Sequence, residues 1–387
     1  MKKYLFLIIL AAIVVVYVVV SLKNKGVDDG DSYTPSVINE KPDYPYPLDN
    51  PPEFHYKLLE FGERPCWSPD GKRIAFVESN YGDICEINLK TRKVKNLTKD
   101  LGEHHSFLRV HYTPSGDYIL IGPAQFKDRY TSRKYESELW FMDKDASEPP
   151  KPLGRRIFEG CAVSRVANKI AYSVSGEQDT LVGGPDKFEL RVADIEITGK
   201  NARLVNERVL YRADNGYEPE AQDFRFNDTE LIFAEYYSEK WGLTRLEEDH
   251  CTTKGIKLET GEVKMYSYER GIHNECEGIF PNDENYCCLE STAHNENDSN
   301  MPTDVWKLKL DGSGERVRIT RMVDRKPWRS SNPVVSPDGK WLAFMVNLHT
   351  SEAGYGMGIG LLDLEAWEKS DNAKQWETPN APDVASK

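Results

Sequence analysis

Six stretches of the chain repeat one pattern, and that pattern limits what kind of core it can build. The clearest copy is Cys66-Trp67-Ser68-Pro69-Asp70-Gly71-Lys72-Arg73-Ile74-Ala75-Phe76-Val77. A second, Val334-Val335-Ser336-Pro337-Asp338-Gly339-Lys340-Trp341-Leu342-Ala343-Phe344-Met345, stands near the other end. In each, an apolar run enters Ser-Pro-Asp-Gly, where proline presets φ for a tight turn and glycine takes the position that would strain a side chain. A second apolar run then leaves, so the unit is a β-hairpin. Weaker copies, Val110–Leu120, Cys161–Tyr172, Phe224–Phe233 and Ile279–Leu289, keep the rhythm. Internal repetition of this kind decides the fold before any motif does.

Each hairpin is followed by a second strand pair around a polar turn. Glu86–Leu89 turns at Lys90–Lys93 into Val94–Leu97, and Trp306–Leu310 turns at Asp311–Gly314 into Val317–Thr320. Four short strands in roughly 45 to 60 residues are the signature of a propeller blade. Six units predict an all-β, six-bladed β-propeller over residues 53–368. The last unit shows three strands ending near Leu364, while Glu53–Phe61 precedes the first full hairpin as a strand without a partner. Pairing the two completes the last blade and removes an open edge.

Outside the repeats, Tyr4–Leu22 carries no charge after Lys2 and Lys3, and it has about the 20 residues a helix needs to cross a bilayer. No Ala-x-Ala cleavage pattern precedes Lys23, so residues 1–23 read as an uncleaved N-terminal transmembrane helix, a signal anchor. Lys23 and Lys25 nearly balance the leading lysines, and charge alone does not orient the span. The expectation is a propeller facing outward, in a periplasmic or extracellular compartment. Residues 24–52, rich in Asp, Pro, Gly and Tyr, are expected to form an extended tether, and residues 369–387 a disordered tail.

The net charge of −13 comes without a basic stripe, which excludes nucleic acid as a partner and disfavours wrapping of the whole molecule on an anionic membrane. Seven cysteines, an odd count without a Cys-x-x-Cys spacing, argue against structural zinc and favour buried free thiols over a disulfide framework.

Trp67-Ser68-Pro69-Asp70-Gly71-Lys72-Arg73-Ile74-Ala75-Phe76 and its counterpart Val335–Phe344 resemble the WD40-like (PD40) repeat of TolB-family β-propellers. The resemblance covers Phe54 to about Trp367 and implies the fold. TolB translocation proteins carry an α/β domain before the propeller, and residues 24–52 are too short to be one, so a role in a Tol-type complex does not carry over. Propellers of prolyl oligopeptidases are also similar, yet there is no Gly-x-Ser-x-Gly elbow here. Oligogalacturonate lyases resemble the chain in their blades and use histidines with manganese. Their histidine pattern is not reproduced, and none of their residues transfers.

Aligning the six copies on their turns puts Arg64, Arg109, Glu159, Glu220, Glu277 and Asn332 near the mouth of the central funnel. Such a ring of both signs suits a polar ligand, a sugar or a peptide. The densest constellation is His273-Asn274-Glu275-Cys276-Glu277, where strand alternation sets His273, Glu275 and Glu277 on one face. A divalent metal ion or a general acid–base pair requires that arrangement; solvated loop residues are the competing account. His104, His105 and His111 form a second group, for which exposed loop histidines are the expectation. Ser351–Gly360 is glycine-rich but lacks the ending of a phosphate loop.

Two readings of function survive. The preferred one is a membrane-tethered propeller binding an envelope protein or glycan at its funnel. The other is a lyase of oligogalacturonate-lyase type, with His273 and Glu275 or Glu277 removing the sugar C5 proton while Arg64 or Arg109 holds a uronate.

Overall fold

The computed structural model describes residues 33–36, 42–213, 217–237, 250–269, 271–294, 302–351 and 354–379. Its strands form six four-stranded antiparallel sheets. Blade 1 holds β2 (Glu63–Trp67), β3 (Arg73–Val77), β4 (Ile84–Asn88) and β5 (Val94–Asn96), and blade 2 holds β6 (Arg109–Tyr112), β7 (Tyr118–Gly122), β8 (Glu138–Met142) and β9 (Lys151–Arg156). Blade 3 is β10 (Phe158–Val163), β11 (Lys169–Ser175), β12 (Phe188–Thr198) and β13 (Asn201–Ala213). Blade 4 is β14 (Tyr217–Arg225), β15 (Glu230–Tyr237), β16 (His250–Lys257) and β17 (Val263–Ser267). Blade 5 is β18 (Asn274–Ile279), β19 (Tyr286–Ser291), β20 (Asp304–Lys309) and β21 (Arg316–Arg318). Blade 6 takes β22 (Trp328–Val335), β23 (Trp341–Leu348) and β24 (Ile359–Asp363) from the end of the chain and β1 (His55–Leu59) from its start.

The strand expected to close the ring does so: β1 pairs antiparallel with β24, His55 opposite Leu362. First strands of neighbouring blades touch all the way round, with β22 against β2. The chain enters each first strand at one face of the ring, here the mouth face. Second strands end there, and the described loops from second to third strands lie on it. The Ser-Pro-Asp-Gly turns lie on the opposite face. In them Gly71 and Gly339 adopt φ of 66° and 73°, and Ser68 and Ser336 Oγ donate to Asp70 and Asp338 at 2.7 and 2.6 Å.

The core sits between blades rather than inside one. Val77, Leu120 and Trp140 pack together from blades 1 and 2, as do Ile121, Cys161 and Tyr172 from blades 2 and 3. A sheet covered on both faces has no wet side, which is why Tyr118–Gly122 is buried at every position instead of alternating.

Parts of the chain expected to be loose are packed. Tyr33 Oη and Ser36 Oγ donate to Glu78, and Tyr46 and Leu48 are buried in the cluster between blades 5 and 6. Trp328 Nε1 donates to the Pro45 carbonyl at 3.0 Å. Tethers rich in aromatic side chains fold onto apolar ground because burying them offsets the lost freedom of the chain. Likewise, Glu377 exchanges backbone hydrogen bonds with Arg316 at 3.0 and 2.8 Å, and Trp376 packs on Tyr286, so the tail runs along β21 as far as residue 379. The seven cysteines are free thiols, and all but Cys66 are buried. Residues 1–23 lie outside the described residues, among which no helix is long and apolar enough to cross a membrane.

Candidate functional site at the hub

Five of the six first strands are bulged near the mouth: between Glu63 and Cys66, Phe158 and Cys161, Ala221 and Asp223, Cys276 and Gly278, and Ser331 and Val334. A bulge leaves one residue unpaired and re-aims its side chain. In three blades that residue is left-handed although it is not glycine: Arg64 at φ 47°, Glu159 at 51° and Asn332 at 46°. Each is strained by about 1–3 kcal/mol. All three side chains turn into the hub, where ion pairs and hydrogen bonds hold them.

The six residues aligned from the repeats meet there. Arg109 Nη2 lies 3.1 Å from Glu220 and 3.8 Å from Glu159, while its Nη1 is 3.9 Å from Glu277. The hub is thus narrow enough for a side chain of blade 2 to reach blade 5. Arg64 lies 3.5 Å from Glu159 and donates to the Leu108 carbonyl at 3.1 Å. Asn332 Nδ2 donates to Glu277 at 3.2 Å, and its backbone N–H donates to Glu290.

His273, Glu275 and Glu277 are also together. His273 Nε2 is 2.9 Å from Glu275, which accepts from Tyr236 Oη as well. Carboxylate oxygens of Glu275, Glu277 and Glu290 lie within 4.8 Å of one another. Such a trio can take a divalent cation or share protons. Burial, with Glu275 and Glu290 alongside, pushes the Glu277 carboxyl well above the usual range, and burial with Glu275 raises Glu290. Glu275 goes the other way: burial acts upward, but the hydrogen bonds from His273 and Tyr236 and the field of Arg109 bring it down. The surroundings thus favour charge on Glu275 and protons on Glu277 and Glu290.

Residues that the repeats do not reveal complete the hub. Glu290 stands opposite Glu275 in the β18–β19 pairing, and Tyr236 is near the mouth end of β15. Arg133 belongs to an insertion between β7 and β8, whose short helix Arg129–Thr131 runs into a wider turn at Ser132–Glu136. From there its guanidinium reaches down to Glu159 across the mouth. Burial, with Arg64 and Arg129 nearby, lowers Arg133 to about 9. Gly354 passes so close to Arg64 that a Cβ there would meet the guanidinium, so the glycine-rich segment is a close approach of backbone.

The second histidine group does not form a site, and its members are not exposed loop residues alike. His104 is packed on Trp140 and Phe107 with Nε2 2.8 Å from the Pro123 carbonyl, and burial lowers it to about 4. His105 pairs with Asp83 at 2.8 Å on the rim. His111 lines the channel below Arg109, where burial and that guanidinium push it to about 3. The space between Arg64, Arg109, His111, Gln222, Glu277 and Asn332 is about 40 Å³. It has room for a few waters and none for a sugar ring.

No protein-family model and no curated protein matches the chain. Among solved structures, TolB from Acinetobacter baumannii is 14% identical at a TM-score of 0.45, over 81% of this chain and 65% of that one, so the chain spans less than two thirds of its length. Kuenenia stuttgartiensis hydrazine synthase is 14% identical at a TM-score of 0.49, over 82% and 81% of the two chains. An oligogalacturonate lyase from Vibrio parahaemolyticus is 12% identical at a TM-score of 0.44, over 80% and 93%. Likeness at this level assigns no activity, and the chemistry has to be read from the hub.

Proposed function

We propose that the chain is a membrane-tethered, extracytoplasmic propeller that binds an envelope protein or glycan at the mouth face of its ring without transforming it. The observation that carries this reading is the closure of the hub. Its arginines and glutamates are engaged with one another, Arg133 reaches Glu159 across the entrance, and the channel space beside Arg109 and His111 is about 40 Å³. Ligands therefore meet the mouth face rather than the depth of the funnel. A uronate lyase has the His273–Glu275 pair in its favour, but Arg109 has to release Glu220 before it can hold a substrate carboxylate. Breaking that buried pair is costly.

The test uses detergent-solubilised full-length protein with oligogalacturonate and soluble peptidoglycan fragments as probes. Titration calorimetry reads binding, and absorbance at the unsaturated-uronate band reads lyase turnover. Binding that survives His273→Ala but weakens on Tyr355→Ala, at the mouth face, is the expected result. An unsaturated product that vanishes in His273→Ala overturns the reading.

A further inference from the structure

We infer that the blade 2–blade 3 sector of the mouth face rests on the bilayer that holds the anchor. The inference depends on reading residues 4–22 as a membrane span and gives the mouth face its neighbour. Two sets of observations lead to it.

The first is where the chain leaves the ring. Tyr33 is fixed by Glu78, just past the mouth-face end of β3, by Asn96 at the end of β5, and by stacking on Phe61. Ten residues, 23–32, separate it from the apolar stretch. Fully extended they span at most about 35 Å. Tyr33 itself lies at the mouth face beside blade 1, so a span this short keeps that face, rather than the opposite one, next to the membrane.

The second is what the adjoining sector exposes. Leu181, between β11 and β12, is 87% exposed, and Phe126 and Tyr130 of the blade 2 insertion are 41% and 46% exposed. The two loops form one surface: Tyr135 Oη lies 3.4 Å from Glu177 and Lys134 Nζ 3.3 Å from it, while the Tyr130 and Tyr135 rings are 5.7 Å apart. Leucine and aromatic side chains on protruding loops partition into the headgroup layer, with tyrosine at its boundary. The insertion, residues 124–136, carries Lys127, Arg129, Arg133 and Lys134 against Asp128 and Glu136, and the blade 3 loop it joins, residues 176–187, carries Glu177, Asp179 and Asp186 against Lys187, so the sector balances to no net charge inside a chain of −13. A sector without net charge meets an anionic leaflet free of the repulsion that the acidic rest of the molecule brings. A ligand bound at the mouth face is then one presented at the membrane surface.

Full-length protein is reconstituted into phosphatidylcholine–phosphatidylglycerol vesicles containing nitroxide-labelled lipid. An environment-sensitive fluorophore is attached at Leu181→Cys, at Tyr130→Cys or, on the opposite face, at Val166→Cys. Val166 is 59% exposed and serves as the control. Signal from the chain without an added cysteine is subtracted. Severalfold stronger quenching at positions 181 and 130 than at 166 is expected, together with resistance to an alkaline wash. Protein that stays in the vesicles but is quenched equally at all three positions, or most at 166, overturns the docking alone. Release by the wash overturns the anchor and the docking together.

Discussion

Arg109 is one cation among Glu159, Glu220 and Glu277, the nearest at 3.1 Å. Burial alone would lower its proton affinity, but Glu220 and Glu277 reverse that and hold it charged. Removing one partner from a buried pair leaves the other charge uncompensated. Arg109→Ala is therefore expected to cost about 3–5 kcal/mol in urea unfolding, whereas removal of the exposed Lys257 from its pair with Glu262 should leave the unfolding midpoint almost where it was. Equal, small losses for both would show that the hub charges do not act as a unit. Glu277 makes a prediction with a sign. Its folded-state affinity for a proton is raised, so its contribution is fully present below the unfolded value of about 4.3 and is lost as pH climbs through the folded one. Glu277→Gln keeps the shape and cannot ionise. The difference in stability between variant and parent should move in favour of the variant from pH 5 to pH 8; a difference that does not change with pH would rule out the shared protons.

At the scale of elements, the turn chemistry of the hairpins accounts for how each blade starts, and the bulges account for what points inward. The turns were legible because Ser-Pro-Asp-Gly states its own geometry locally. The inward aim of Arg64, Glu159 and Asn332 was legible only as a position in the repeat, since a left-handed arginine or glutamate is not encoded by propensity and is held by ion pairs from other blades. Arg133 was not legible at all. It sits in an insertion outside the repeat, and its partner Glu159 belongs to the next blade. The closing strand makes the sharpest prediction here. A chain beginning at Gly62 exposes the edge of β24 and uncovers Trp328, whose indole N–H is held by Pro45. Such a chain should elute from size exclusion as aggregate, and a folded monomer would contradict the closure.

For the whole molecule, the ring makes free thiols compatible with the extracytoplasmic location proposed for the chain. Burial pushes Cys66 up to about 11 and Cys85 up to about 12, and the deeper cysteines move the same way. A thiol that seldom ionises and cannot be reached neither exchanges nor oxidises. A water-soluble disulfide reagent should modify at most Cys66 in the native protein and all seven thiols after denaturation. Rapid modification of several thiols in the native state would mean that the blades part readily.

The chain's own residue order settled the number of blades, the hairpin turns, the strand that closes the ring and the inner positions of the hub. Those features are local or periodic, and the repeat writes each of them more than once. Tertiary structure alone decided that the hub is filled, that Glu275 and Glu290 face each other, and that residues 33–36, 42–52 and 369–379 pack on the ring. These outcomes depend on side chains brought together by closure, such as Arg109 and Glu220, which lie 111 positions apart. Whether charges from different blades neutralise one another or stay open to a ligand is set by how wide the closed ring is, a property that no single repeat contains.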